Sequence, residues 1–368
     1  MSQSQGSRHS RLRIMEDTPQ QRSDAGFEAT DEARRYRAVA DLYHAYLTGL
    51  LLMFVSRRGR EDAAELVFRT FRRQHLEKFL PGLEKLGLTN LPDAVACAKY
   101  HYLSNHLGGV KVEYLYESDR KAWIRYPPPR WLFDGTAICG IPSEVSRAML
   151  RGWHAYNGVS LRNPRLGFVC TKQTVDGQAG LEGYYLEHDR EIEPNERLRF
   201  APAEEAPELD PRLLPTVASD MWPQERLQKV LRNYAMDYVR TIVPLAVELF
   251  GVAEGGHLAG LAARQIGMHW ADRILDLLPR SDADGEDFLD LLAILLTAQG
   301  DTAKVESDAN GRCVVQHGWR LTRGLAPVSP AVFDAWSELW SGMLLAQDRH
   351  GRLSVRRETG DVVRWRLA

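Results

Sequence analysis

Cysteine is scarce in this sequence, and no block of charges of one sign occurs. The four cysteines, Cys97, Cys139, Cys170 and Cys313, are spread over 368 residues without close pairs. Such spacing argues against a disulfide framework and favours a reducing compartment, so we expect a cytoplasmic protein. Lys and Arg total 47 against 49 Asp and Glu, a formal net charge of -2. This balance gives no electrostatic support for nucleic acid or an anionic membrane as a partner.

Long apolar segments and the standard catalytic signatures are also missing. The longest apolar stretch, residues 47–55, is interrupted by Thr48 and Gly49, and it is well short of the ~20 residues that span a bilayer. The basic N-terminus has no apolar segment behind it, so we expect neither a secretory signal nor a membrane span. The sequence contains no glycine-rich phosphate loop, no Gly-x-Ser-x-Gly elbow and no His-Glu-x-x-His helix.

Changes of pattern along the chain indicate its organisation. Residues 1–30 are polar without apolar periodicity and are predicted to be a disordered tail. Residues 31–190 contain three helical patterns, an alternating hairpin, a further helix and a second hairpin. Residues 191–223 are rich in Pro, Glu and Asp and are predicted to be a linker. Residues 224–368 then repeat the order of elements of the first segment.

The repeated order predicts an α+β fold made of two diverged copies of one helix-helix-helix-hairpin-helix-hairpin module. A chain of 368 residues also exceeds the size that one hydrophobic core usually supports. Identity between the copies is slight, and one short match pairs Lys111-Val112-Glu113 with Lys304-Val305-Glu306. The pattern leaves open whether the copies meet within one chain or across a homodimer.

The layout of the first module resembles a known family. Glu113 lies in the first hairpin, Cys139 follows that hairpin, and the second hairpin contains Gly-Phe-Val-Cys at 167–170 and Leu-Glu-Gly-Tyr-Tyr at 181–185. This arrangement resembles the vinyl-reductase-type ligand-binding module of aromatic-sensing regulators, and it is similar to the aminothiazoline-carboxylate hydrolase family. The resemblance covers residues 33–190 and extends faintly over residues 225–368.

The resemblance implies a zinc site beside the ligand pocket, formed by Glu113, Cys139 and Cys170. Thiolates and carboxylates are proper zinc ligands, and tetrahedral zinc takes four donors in all. The second hairpin has no cysteine after Cys170, so the fourth place would fall to Glu182, His188 or water. Buried structural cysteines are the alternative interpretation of the same thiols.

Two cations and two aromatic residues of the first module are candidates for substrate binding. Arg125 and Lys172 lie in otherwise apolar strand patterns, and a cation on a half-buried strand needs a partner, which a substrate carboxylate would supply. Trp131 and Tyr184 are candidates for an aromatic pocket wall. The alternatives are cations that face solvent and aromatic residues that pack in the core.

These residues support three hypotheses about function. The first is a hydrolase that cleaves a carbon–nitrogen bond of a small organic acid, with Glu113, Glu182 or a zinc-bound water in acid and base roles and His188 beside them. The second is a non-catalytic sensor or carrier that binds a small carboxylate in the same pocket. The third is an interaction scaffold. The lack of a DNA-binding or nucleotide-binding motif favours the hydrolase over the sensor.

Overall fold

A computed structural model describes residues 30–130, 132–216, 222–279 and 287–368. The helices of the first half are α1 (Asp31–Arg58), α2 (Arg60–Lys85), α3 (Asp93–Leu107), α4 (Ser143–Gly152) and α5 (Asn157–Leu161). Its strands are β1 (Glu113–Ser118), β2 (Lys121–Tyr126), β3 (Leu166–Lys172) and β4 (Leu181–Glu187), and β5 (Leu198–Phe200) follows them. The predicted tail lies, except for Thr30, outside the described residues.

The second half follows the same order of elements. Its helices are α6 (Gln224–Phe250), α7 (His257–Leu277), α8 (Phe288–Gln299) and α9 (Pro330–Gln347). Its strands are β6 (Thr302–Asp308), β7 (Gly311–His317), β8 (Leu353–Glu358) and β9 (Val362–Leu367). The chain therefore has the mixed α+β fold that the sequence predicts.

The two sheets share one strand order. The first runs β1-β2-β4-β3-β5 and the second β6-β7-β9-β8, so in each half the inner strands of the two hairpins pair with each other. Alternation along β2 places Ala122, Ile124 and Tyr126 in the core under α3, while Trp123 and Arg125 lie on the opposite face. The prediction of two diverged copies requires such a shared strand order. That the two halves superpose stays a prediction.

The two halves interlock through their first helices. Tyr234 on α6 donates to Asn105 Oδ1 near the end of α3, at 2.6 Å. Tyr43 on α1 donates to Gln299 Oε1 at the end of α8, at 2.8 Å. In both cases a tyrosine from the first helix of one half binds an amide near the end of the third helix of the other half. The halves meet within one chain, and a single hydrophobic core joins them.

The segment predicted to be a linker is part of the fold over its described length. β5 pairs in parallel with β3 and extends the first sheet. Residues 201–209, which we call the strap, pack through apolar side chains on the cluster around Trp123 and Tyr184. The structure therefore corrects the prediction of a linker for residues 198–209, because β5 extends the sheet and the strap covers its face opposite α3. Residues 217–221 lie outside the described residues.

Two helical stretches are long and apolar enough to cross a membrane by length and composition alone. They are Asp31–Arg58 and Arg226–Leu277, and 72% and 56% of their most apolar windows is buried inside the protein. Core helices of soluble proteins pass the same test, so this evidence is weak. The described residues give no positive sign of membrane insertion.

A glycine in the same unusual conformation follows the first helix of each half. Gly59 has φ 88° and ψ 172°, and Gly251 has φ 78° and ψ 170°. Any other residue at these angles is strained by about 1–3 kcal/mol. We expect Gly59→Ala and Gly251→Ala each to lower the free energy of unfolding by that amount in urea titrations. Gly256→Ala is the control, because Gly256 has a helical φ of -65° and room for a methyl group; an equal loss there would contradict the explanation.

Candidate functional site

A cavity of about 460 Å³ lies between the first sheet and helices from both halves. α2, α3, α4 and α6 form most of its wall, and the ends of β2 and β4 close it. The lining is mainly apolar and aromatic: Phe71, Leu86, Tyr100, Leu107, Tyr126, Met149, Leu150, Trp153, Leu181, Trp222, Val230, Tyr234 and Tyr238. This size and composition are typical of small-molecule sites.

A chain of hydrogen bonds builds the wall between the two halves. The Tyr238 hydroxyl donates to the Tyr234 hydroxyl at 2.9 Å, and Tyr234 donates to Asn105 Oδ1 at 2.6 Å. Asn105 Nδ2 donates to the Tyr126 hydroxyl at 3.1 Å and to the His101 carbonyl at 2.7 Å. Burial raises the pKa of Tyr234 and Tyr126, so both hydroxyls keep their protons. The position of α6 is thereby fixed against α3 and β2.

Arg130, in the segment after β2, is a buried cation in this wall. Its side chain lines the cavity, and the residue is only 7% exposed. Its Nε and Nη1 atoms are buried, and no described residue accepts a hydrogen bond from either. The guanidinium carbon lies 5.9 Å from the centre of the Tyr126 ring. Burial lowers the pKa of Arg130, and a buried cation is costly without an anion beside it.

Neutral histidines form another part of the wall. The His101 and His154 rings stack with their centres 4.1 Å apart, and both residues line the cavity. His154 Nδ1 lies 2.6 Å from the Tyr185 hydroxyl, and Asn157 Nδ2 donates to that hydroxyl at 2.9 Å. Burial lowers the pKa of His154 to about 3 and that of His101 well below its usual value. Both side chains are therefore uncharged hydrogen-bonding groups at neutral pH.

The predicted catalytic glutamates lie outside the cavity. Arg125 Nε donates to Glu182 Oε2 at 2.6 Å, and Arg125 Nη1 donates to Glu113 Oε2 at 3.0 Å. The Thr171 hydroxyl donates to Glu182 Oε1 at 2.7 Å. Arg125 lies on the sheet face opposite α3, and none of these side chains lines the cavity. The two carboxylates pair with Arg125 away from the cavity, and the catalytic and substrate-binding roles of these residues stay predictions.

Lys172 and Tyr184, predicted to bind substrate, instead hold the strap. Lys172 Nζ donates to the carbonyls of Pro202 and Glu204, at 2.9 and 3.1 Å, and to Glu205 Oε1 at 2.7 Å. The Tyr184 hydroxyl donates to Glu204 Oε2 at 2.7 Å. The described partners of these side chains come from the same chain, and neither residue lines the cavity, so their substrate-binding roles stay predictions.

The three predicted zinc ligands are not brought together. Cys139 is exposed, Cys170 is buried, and Glu113 is bound to Arg125. Burial raises the pKa of Cys170 to about 12, so its thiol is protonated in the metal-free chain. Within the part of the chain that the structure describes, no group of three or more His, Cys, Asp or Glu side chains is placed to hold a metal ion.

Of the remaining predicted residues, His188 does not add to the cavity. His188 follows β4 and is absent from the cavity lining; its Nε2 is buried, and burial lowers its pKa. Trp131 lies outside the described residues. The sequence analysis missed Arg130 and Asn105 and gave no role to His154. A cation placed directly after three prolines and near Tyr126 is the one local signal that points to Arg130. Nothing local connects Tyr234 with the first half.

Comparison with known proteins gives no further guide to this site. No family model matches the sequence, and neither the curated proteins nor the solved structures contain a match. The resemblance drawn from the hairpin residues therefore stays an expectation, and the function is argued from the geometry of the cavity.

Proposed function

We propose that the protein binds a small organic acid with an aromatic or otherwise apolar body, and that the acid's carboxylate pairs with Arg130. One observation carries this proposal: a buried arginine lines a largely apolar cavity, and no described residue accepts from its Nε or Nη1. A carboxylate is the planar anion that suits a guanidinium best, because the two groups can form paired hydrogen bonds. The aromatic lining supplies a surface for the apolar body of the ligand.

Binding without catalysis fits the cavity better than hydrolysis. A hydrolase needs a group that can take up a proton near neutral pH, and burial keeps His154 uncharged there. The two carboxylates of the cavity lining, Asp237 and Glu77, are each paired with a cation, Lys78 and Arg240. Glu113 and Glu182 are paired with Arg125 on another face of the sheet. We therefore favour the sensor or carrier hypothesis over the hydrolase that the sequence favoured. Cleavage of a carbon–nitrogen bond is kept as the second candidate because the ligand class is the same.

In the second half, aromatic side chains fill the region that corresponds to the cavity of the first half. Bulky rings pack together there between the second sheet and its helices: Trp319, Phe333, Trp336, Trp340 and Trp365. Three of these tryptophans are completely buried. We propose one ligand per chain, with the second half contributing α6 as a wall of the first half's cavity.

Calorimetry with two matched probes tests the proposal. 2-Naphthoate and 2-naphthamide have the same ring system, but only the first carries a charge. Wild-type protein is expected to bind the acid more tightly. Arg130→Met should weaken 2-naphthoate binding by about 10-fold to 100-fold, since charge-assisted hydrogen bonds contribute ~1.5–3 kcal/mol. It should leave the affinity for 2-naphthamide nearly unchanged.

Lys172→Met is the matched control, because it removes a cation of the same half that lies outside the cavity. We expect unchanged affinity for 2-naphthoate. Equal losses in the two variants, or equal affinity of the wild type for acid and amide, would overturn the assignment of Arg130. Release of ammonia from 4-carbamoylbenzoate by the wild type, absent in Arg130→Met, would instead establish the hydrolase.

A further inference from the structure

The cavity has a second polar region around His154. It lies at a different position along strand β4 from the region around Arg130. Tyr126, whose ring lies under the Arg130 guanidinium, pairs with Leu181 at the start of β4. Tyr185, which contacts His154, lies four residues farther along the same strand. At 3.3 Å per residue these two levels are about 13 Å apart. Arg130 and His154 both line the same cavity, so a ligand whose carboxylate is held by Arg130 can extend within it toward His154.

The hydrogen bonds behind His154 favour one position for its ring proton. Asn157 is completely buried, and its Nδ2 donates to the Tyr185 hydroxyl. The hydroxyl proton of Tyr185 is then directed to His154 Nδ1, 2.6 Å away. A neutral imidazole that accepts at Nδ1 carries its proton on Nε2. Stacking on His101 and contact with Phe168, ring centres 4.1 and 4.4 Å away, hold the ring in place.

We propose that His154 Nε2–H donates to a neutral acceptor oxygen on the body of the ligand, such as a ketone or ester carbonyl. This inference rests on the proposed pairing of a carboxylate with Arg130. None of the described residues is hydrogen-bonded to His154 Nε2, and the residue belongs to the cavity wall. The described neighbours of His154 are the uncharged side chains of His101, Tyr185 and Phe168. A neutral donor in such surroundings selects an uncharged acceptor, because an anion placed there would lose its hydration without a cation beside it. The ligand class is thereby narrowed to aromatic acids that also contain a carbonyl.

A pair of probes that differ by one group tests this inference. 4-Benzoylbenzoate and 4-benzylbenzoate share the carboxylate and both rings, but only the first has a carbonyl between the rings. Wild-type protein is expected to bind the ketone about 10-fold more tightly, as one buried hydrogen bond to a neutral group allows. His154→Phe should abolish this preference, so that the variant binds the two probes with equal affinity. Arg130→Met should weaken both probes.

Further variants separate hydrogen bonding from packing. His154→Gln keeps an N–H donor and should retain part of the preference for the ketone. Tyr185→Phe removes the hydroxyl that fixes the tautomer and should reduce the preference without changing the affinity for 4-benzylbenzoate. These two variants decide the question even where His154→Phe fails to fold, as judged by circular dichroism.

The outcomes distinguish this inference from the proposed function. Equal affinity of the wild type for 4-benzoylbenzoate and 4-benzylbenzoate would overturn the inference about His154. It would not affect the proposed pairing of Arg130 with a carboxylate. Binding of 2-naphthoate without binding of either larger probe would also overturn the inference, because the cavity would then not extend to His154. Failure of all three acids to bind would overturn the proposed function itself.

Discussion

Replacement of Arg130 by methionine is expected to stabilise the ligand-free protein while it weakens ligand binding. The wild-type side chain is 7% exposed, and no described residue accepts from its Nε or Nη1. Replacing buried charges by apolar side chains of similar size can stabilise a protein by about 1–4 kcal/mol. Differential scanning calorimetry should therefore show a higher melting temperature, by roughly 1–2 °C for each kcal/mol, because the entropy of unfolding grows with chain length.

Replacement of Lys172 by methionine should instead destabilise the protein. Lys172 Nζ has three acceptors in the strap, so Lys172→Met should lower the melting temperature.

Saturating 2-naphthoate should raise the melting temperature of the wild type, because a ligand that binds only the folded state stabilises it by RT ln(1 + [L]/Kd). Arg130→Met should show a smaller rise at the same concentration. A lower melting temperature for ligand-free Arg130→Met would show that the guanidinium has a structural role.

A destabilising residue that a ligand requires is a recognisable pattern in proteins. Function can place a group where it costs stability, and removal of the group then gains stability at the expense of activity. Arg125 is the structural counterpart in the same half, because its charge is balanced by Glu182 and Glu113. The two arginines should therefore respond to substitution with opposite changes of stability, and this difference identifies which one serves a ligand.

The sequence predicted the secondary structure of this protein much better than its site. Period-2 alternation in residues 110–126 and helical periodicity from Asp31 onward are local properties, and both elements occur. The sequence also indicated correctly that Arg125 and Lys172 need partners. It could not indicate which partners, since Glu182 is 57 residues from Arg125 and Glu205 is 33 residues from Lys172. Only the strand pairing and the strap decide that these partners are internal.

The cavity itself depends on contacts that no local pattern contains. Tyr234 reaches Asn105 across 129 residues, from a helix of the other half. Arg130 follows a proline run and lies in no strand or helix, so periodicity gives no information about its direction. The predicted linker had the composition of a loop, yet part of it pairs with β3, because sheet pairing can override composition in a short segment.

Arg125→Leu is expected to cause a large loss of stability without changing the cavity. The Glu182 side chain is 6% exposed, and its bond to Arg125 Nε is 2.6 Å long. Removal of the arginine leaves a buried carboxylate with Thr171 as its remaining described side-chain donor. Breaking a buried ion pair from one side costs about 3–5 kcal/mol. Urea titrations of Arg125→Leu should therefore show a loss of that size, while Glu113→Gln, at a side chain 25% exposed, should cost far less.

The double variant Arg125→Leu with Glu182→Leu provides the decisive comparison. It removes the charges of both partners, so it should recover most of the stability that Arg125→Leu loses, since apolar replacements of an ion pair are often neutral. Both residues lie on the sheet face away from the cavity, so the double variant should bind 2-naphthoate with wild-type affinity. If it folds and fails to bind, then Arg125 holds the ligand as the sequence predicted, and the carboxylate site moves from Arg130 to the face under the strap.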